Sequence, residues 1–277
     1  MNQNTTIHAP KEAEVPASAR DFGVKGRVVI ITGAAQGIGR EFARQFAAAG
    51  AIPVVADLNL DKAEGVVREI EAEGGQAMAI RIDLGDKKSL DDMVAAVLQK
   101  YGRIDVLVNN GAIFATLQKR PFDEIPLAEW DMVMRVNITG TFLAACAVAP
   151  AMRKAKWGRI INLSSDSVPR GAMNYLHYVT SKAAVIGMTN SLARELGPHG
   201  VTVNAIRPGG VATEVDRTVN PTNEGRAAGR RAVPAQGPGA GGPGGHRDVP
   251  VHPRRIVHHG PDHGLRRRPD PQQLRTP

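Results

Sequence analysis

A phenol and an ammonium stand four residues apart in Tyr178-Val179-Thr180-Ser181-Lys182, and on a helix that spacing puts both on one face. A tyrosine near its free pKa of about 10 is a poor base at neutral pH, and a cation beside it stabilises the phenolate. Such a pair suits general acid/base work on an alcohol oxygen, Tyr178 taking the proton as a hydride leaves the adjoining carbon. Ser165 lies thirteen residues upstream, at the close of the apolar run 158–164, where its hydroxyl would hold the substrate oxygen. Tyr-x-x-x-Lys alone arises often by chance as a surface pair, so the reading depends on what accompanies it. Tyr175 has Val179 four residues on and is expected to pack; Ser164 faces the other side of its strand from Ser165. His177, next to the proposed base, is expected on the helix surface rather than as a second acid. Asp166 and Arg170, in the loop after Ser165, either line the substrate pocket or are simply solvated.

A second group has phosphate chemistry. The apolar run 27–32 leads into Thr32-Gly33-Ala34-Ala35-Gln36-Gly37-Ile38-Gly39 and then an Ala-rich helical stretch. A turn that lets a pyrophosphate approach the backbone needs residues without a Cβ, and the helix behind it offers free N–H groups and a positive dipole end. Asp57 ends the next strand, 18 residues beyond Gly39, where a carboxylate accepts both ribose hydroxyls of an adenosine and repels a 2′-phosphate. Gln36 and Leu58 offer no offsetting cation, though Arg40 is a candidate, so NAD is expected in preference to NADP. The bland alternative for Asp57 is a solvated acid at a strand end.

The glycine spacing T-G-x-x-x-G-x-G, followed by Asp57 and the Tyr-x-x-x-Lys pair, resembles the short-chain dehydrogenase/reductase family as far as about residue 218. The resemblance implies a catalytic set of Asn137, Ser165, Tyr178 and Lys182, with Asn137 in a water relay to the lysine. It implies cofactor contacts from Gly33, Gln36, Gly37, Ile38, Gly39 and Asp57, and from Asp83 and Leu84 against the adenine. Asn110, Gly111, Ala112, Tyr178, Lys182, Pro208, Gly209 and Thr213 are implied on the nicotinamide side, and no metal is implied. In Asn109-Asn110-Gly111-Ala112 the last two residues are exchanged relative to the family's Asn-Asn-Ala-Gly. The stretch 157–162 and the His-Tyr-x-x-Ser-Lys helix look like the branch that includes alcohol, phenylethanol-type and pyridoxal-type dehydrogenases, with 3-oxoacyl carrier-protein reductases close by. The implied reaction is hydride transfer between a secondary alcohol or ketone, shaped by residues 113–128 and 166–174, and the dinucleotide. The family assembles as homo-oligomers.

These residues need rigid supports. Short β-branched or apolar runs at 27–32, 52–56, 78–83, 104–109, 158–164 and 201–206 alternate with helical patterns at 38–49, 61–74, 88–101, 127–153 and 175–196. That alternation predicts an α/β fold, a doubly wound parallel sheet of the Rossmann type, with the ligand crevice at the carboxyl ends of its strands.

Composition bounds the rest. The chain has 277 residues, 42% of them hydrophobic and 4% aromatic, which suits one large domain. No run approaches the roughly 20 apolar residues of a membrane span, and the first 20 residues lack the apolar segment of a secretory signal. The lone Cys146 reads as a small buried filler in a reducing, cytoplasmic setting. Of the net charge of +8, residues 221–277 carry +6, from ten arginines against four acids, with ten of the 19 prolines and no Lys, Phe, Tyr, Trp or Met. Residues 1–22 therefore read as a flexible leader, 23–218 as an NAD(P)-binding catalytic domain, and 219–277 as an Arg/Pro/Gly-rich disordered tail. A nucleic-acid role for the tail lacks the aromatic residues of single-strand binding.

The tail has the composition of GC-rich DNA read out of register. Dropping one nucleotide lets Val249-Pro250 become Phe-Leu, residues 259–264 become Thr-Gly-Gln-Thr-Met-Val, and residues 266–268 become Val-Asp-Gly, which are the family's closing residues in order. A frameshift between about residues 215 and 235 would remove the last strand of the sheet and its lid. The alternative to an active enzyme is then an unstable or inactive nucleotide-binding remnant.

Overall fold

The computed structural model describes residues 23–211 and 213–215. The expected flexible leader (1–22) and disordered tail (219–277) lie outside the described residues. Within them, six strands form one parallel sheet: β1 (Val28–Thr32), β2 (Ile52–Asp57), β3 (Met78–Arg81), β4 (Val106–Asn109), β5 (Gly158–Leu163) and β6 (Val201–Ile206), in the order β3-β2-β1-β4-β5-β6. The helices are α1 (Gly37–Ala48), α2 (Leu60–Ala72), α3 (Lys87–Tyr101), α4 (Leu127–Met134), α5 (Gly140–Ala155), the short α6 (Ser167–Arg170) and α7 (Leu176–Leu196).

Strand alternation explains why helices cover both faces. In β1, Val28 and Ile30 join a core with Met93 of α3, Val148 of α5 and Leu196 of α7. Val29 and Ile31 point the other way, into a core with Ala43 of α1 and Val66 and Ile70 of α2. A strand buried on both sides reads as an unbroken apolar run, and all five residues of β1 are buried. The order of strands reverses between β1 and β4, which opens a crevice at their carboxyl ends.

At the opposite end of the sheet Asp105 is buried and ties β1 to β4. Its carboxylate accepts from the Val28 N–H at 2.9 Å, from Arg27 at 2.9 Å and from Arg103 at 2.6 and 2.7 Å. Burial pushes this carboxyl up, and the bonds from Arg103, Val28 and Arg27 outweigh it, holding it below its ordinary range.

Three expectations need correction. The predicted helix 127–153 is a continuous run, Leu127–Ala155, interrupted by a π-helical turn at Arg135–Thr139. By length and composition alone that run is long and apolar enough to cross a membrane, where the sequence reading found no such run; 44% of its most apolar window is buried inside the fold, where Ala144, Val148 and Met152 pack against the sheet. Cys146, on α5, is exposed rather than buried. Among the described residues β6 is the last strand and pairs only with β5.

Candidate active site

The carboxyl ends of the strands open onto a cleft of about 830 Å3. On one side lies the glycine turn between β1 and α1. Gly33 and Gly37 hold φ angles of +63° and +59°, which side chains rarely allow. A Cβ on Gly33 would stand 2.6 Å from Gly111 Cα, and one on Gly39 would run into the Gly33 carbonyl oxygen. Gly33, Gln36, Gly37 and Ile38 line the cleft, while Gly39 lets α1 sit against the turn. The Gly37 N–H donates to the Glu214 carboxylate at 2.9 Å, and Arg40 lies 3.8 Å from the same oxygen. The Gly37 bond draws the Glu214 carboxyl below its ordinary range. The start of α1 thus already holds an anion, as an unpaired helix N-terminus does.

Asp57 stands at the tip of β2, its two carboxylate oxygens accepting from the Ala35 and Asn59 N–H groups, each at 3.0 Å. Arg40, the cation that the sequence offered for a 2′-phosphate, is engaged by Glu69 at 2.8 Å and lies 3.8 Å from Glu214. Two other cations, Lys62 and Arg81, border a shallow recess shared with Asp57 and Gln36, and Lys62 donates to Gln36 Oε1 at 3.3 Å. Sequence reading missed Arg81; the signal was the parallel register, which pairs Asp57 directly with Arg81.

Further along the cleft come Asp83 and Leu84, then Asn110, Gly111 and Ala112. The Asn110 side chain donates to the carbonyls of Thr32 (3.0 Å) and Gly33 (2.9 Å), riveting the β4 loop to the glycine turn. A Cβ on Gly111 would meet Leu84 Cδ1 at 2.7 Å, so Leu84 occupies the space that the exchanged Gly-Ala pair leaves open. Pro208, Gly209 and Thr213 line the far side.

Ser165, Tyr178 and Lys182 meet on this cleft. The observed β5 ends at Leu163, so Ser165 belongs to the loop, and its Oγ accepts from the Ser167 N–H and hydroxyl at 3.1 and 2.9 Å. Lys182 sits one turn of α7 beyond Tyr178, its Nζ 5.8 Å from the phenol ring centroid and donating to the Leu163 carbonyl at 2.8 Å. Complete burial pushes its pKa down to about 8. Asn137 is a layer behind the cleft, in the π-helical turn. Its Oδ1 accepts from the Ile113 N–H at 2.8 Å, and its Nδ2 donates to the Ile113 carbonyl and to Ser181 Oγ. The extra residue of the π-helical turn faces the Asn137 side chain toward both the β4 loop and α7, a feature that no periodicity announces.

Of the stretches expected to shape the pocket, 113–128 contributes Ile113, Phe114, Ala115 and Ala128, whereas 166–174 contributes none. Asp166 and Arg170 pair with each other at 3.0 Å outside the cleft. Tyr175 packs as expected, its hydroxyl donating to the Phe114 carbonyl at 3.0 Å. His177 is fully buried, contrary to the surface position expected of it. Among the described residues no group of three or more His, Cys, Asp or Glu side chains could hold a metal ion.

Comparison with known proteins places this geometry. The family profile of short chain dehydrogenases matches residues 27–224. The 3-oxoacyl-[acyl-carrier-protein] reductase of Synechocystis sp. is 40% identical over 196 residues, 70% of this chain and 78% of that protein. Among solved structures, an NAD+-bound xylitol dehydrogenase matches with a TM-score of 0.65 and 30% identity over 68% of this chain and 73% of its own. A metagenomic short-chain oxidoreductase in complex with NADP matches with a TM-score of 0.64 and 37% identity, over 68% of this chain and 85% of its own.

Proposed function

The chain belongs to the short chain dehydrogenase family, oxidoreductases that act on CH–OH groups with a nicotinamide dinucleotide, and on that footing we propose that it interconverts a secondary alcohol and a ketone, with Tyr178 as acid/base and NAD as cofactor. The dinucleotide, when bound, supplies the hydride acceptor or donor. The residues fit such a group: a cradle that Cβ atoms would fill, an N–H that already holds a carboxylate, and the Asp57 carboxylate held in place by two amides.

Tyr178 takes the proton from the alcohol oxygen, or returns it to the ketone. The Lys182 ammonium lowers the cost of the phenolate, and the Leu163 carbonyl keeps that ammonium from swinging away. Ser165, with its hydroxyl oxygen anchored by Ser167 from behind, orients the substrate oxygen. Asn137 holds the Ile113 backbone and Ser181 together, so the β4 loop and α7 keep a fixed separation. The observation that carries the reading is a buried, tethered ammonium one helical turn from a phenol on the same cleft. Asp57 favours NAD. Lys62 and Arg81 beside it favour the second cofactor, NADP, and kcat/KM measured with each dinucleotide decides between them. For substrate, a 3-oxoacyl thioester is the runner-up, on the likeness to the carrier-protein reductase.

Tyr178→Phe should lower turnover about 10²–10⁴-fold while dinucleotide affinity stays within a factor of about three. Retention of more than a tenth of the activity would remove Tyr178 from the mechanism. A second reading, cofactor binding without turnover, is favoured by the unpaired edge of β6 among the described residues, where Ile206 is 42% exposed. A substrate screen on this chain beside a version with the reading frame restored between about residues 215 and 235 separates the two.

A further inference from the structure

His177, next to the proposed acid/base, is 0% exposed, and neither ring nitrogen makes a hydrogen bond of good geometry. Its nearest charged partner is Glu129 on the first turn of α4, whose Oε1 lies 3.2 Å from Nε2. The other carboxylate oxygen of Glu129 lies 3.5 Å from Arg120 Nη2. Arg120, Glu129 and His177 therefore join three elements: the loop after β4, α4 and the start of α7. An apolar side chain would fill the position of His177 with less desolvation cost, so the stability of the core does not account for it.

The surroundings indicate what the cluster holds. The Arg120 N–H donates to the Asn174 carbonyl at 3.0 Å, with Asn174 in the left-handed region at φ +59°. The Tyr175 hydroxyl donates to the Phe114 carbonyl, and its ring meets the His177 ring edge-on at 5.6 Å. Between these tethers the loop presents Ile113, Phe114 and Ala115 to the cleft, and the Phe114 ring lies 4.8 Å from that of Tyr178. Asn137 grips the near end of the loop at Ile113. The far end is held at Arg120, by its N–H bond to the Asn174 carbonyl and its ion pair with Glu129.

We propose that Arg120, Glu129 and His177 form a buried clasp that sets the position of residues 113–120, and with them the substrate-side wall facing Tyr178. They are positioning and specificity-determining residues, acting through Phe114 rather than on reacting atoms. The inference rests on the reading of Tyr178 as the acid/base only for its kinetic consequence; the mechanical claim stands apart from it.

Two variants test it, His177→Phe, which keeps a buried aromatic ring, somewhat larger than imidazole, and removes both ring nitrogens and with them the approach to Glu129, and Glu129→Gln. In His177→Phe the melting temperature should hold or rise. In both variants amide exchange at Leu117 and Arg120 should quicken about tenfold or more while β1 and α1 stay unchanged. With a ketone substrate, KM should rise about tenfold or more, kcat should stay within about threefold, and the cofactor KM should not move. The ratio of kcat/KM between a small aliphatic and an aryl ketone should shift as well. Unaltered loop exchange with unaltered substrate KM in both variants overturns the clasp, as does a joint fall of melting temperature, kcat and cofactor affinity in His177→Phe. If the parent chain turns over no ketone, the exchange measurement alone decides the clasp, and the absent turnover counts against the proposed reaction instead.

Discussion

Burial lowers the Lys182 ammonium to about 8 from an ordinary 10.5, so at neutral pH the folded chain encloses a charge that water would hold more favourably. Between about pH 8 and 10.5 the unfolded chain binds more protons than the folded one, and stability therefore rises with pH across that window; below pH 8 the penalty is complete. Lys182→Met is expected to abolish turnover and to stabilise the fold at pH 7, by at most about 3 kcal/mol. The loss of the donor to the Leu163 carbonyl reduces that gain. The gain should shrink as pH is raised from 8 toward 10.5, which denaturant unfolding at several pH values checks. A variant destabilised at pH 7 would contradict this account. At this scale the Tyr178–Lys182 pair is legible from a four-residue spacing, because a helix dictates which side chains share a face, but only in the company of Ser165 and the glycine turn does it read as more than a surface pair. The burial of His177 is not, since it depends on Glu129, Arg120 and Tyr175, which are remote in sequence or lie on other faces.

The glycine turn, β1 and α1 work as one unit, and Gly39 is where they touch. A Cβ there would meet the Gly33 carbonyl oxygen, Ala34 Cα at 2.9 Å and Asn110 Nδ2 at 2.5 Å, two of the three being backbone atoms that cannot swing aside. Gly39→Ala should cost about 1–3 kcal/mol or more and weaken dinucleotide binding about tenfold. Gly65→Ala, on an open face of α2 with only the end of Arg68 within 4 Å, should be neutral or stabilising by up to about 1 kcal/mol. Equal melting temperatures for the two variants would refute the close-approach argument. The boundaries of β1, α1, α2, α3 and α7 fall within two residues of the sequence reading because apolar period and glycine stops mark them. The π-helical turn at Arg135–Thr139 escaped it, since α4 and α5 are apolar nearly all round and a one-residue shift of phase, which redirects Asn137, leaves no mark on such a pattern.

For the whole molecule the vulnerable feature is the outer edge of β6. Among the described residues that edge is unpaired, and Ile206 and Val211 expose about two-fifths of their surface. Restoring the reading frame between about residues 215 and 235 should raise the melting temperature, by roughly 10 °C or more if a strand and helix are regained, since 1 kcal/mol moves Tm about 2–4 °C at this size. Identical melts for the two chains would refute the claim that this edge limits stability. The order of elements, the glycine cradle, Asp57 and the Tyr-Lys pair came from the sequence by itself, because each is governed by period, capping or backbone sterics within about 20 residues. Tertiary structure alone decided that Arg40 is engaged by Glu69 while Arg81 borders Asp57, that Cys146 faces outward, and that His177 is sealed against Glu129. Those outcomes depend on strand register and on which helix face meets another, and both are set by the summed packing of distant segments rather than by any local rule.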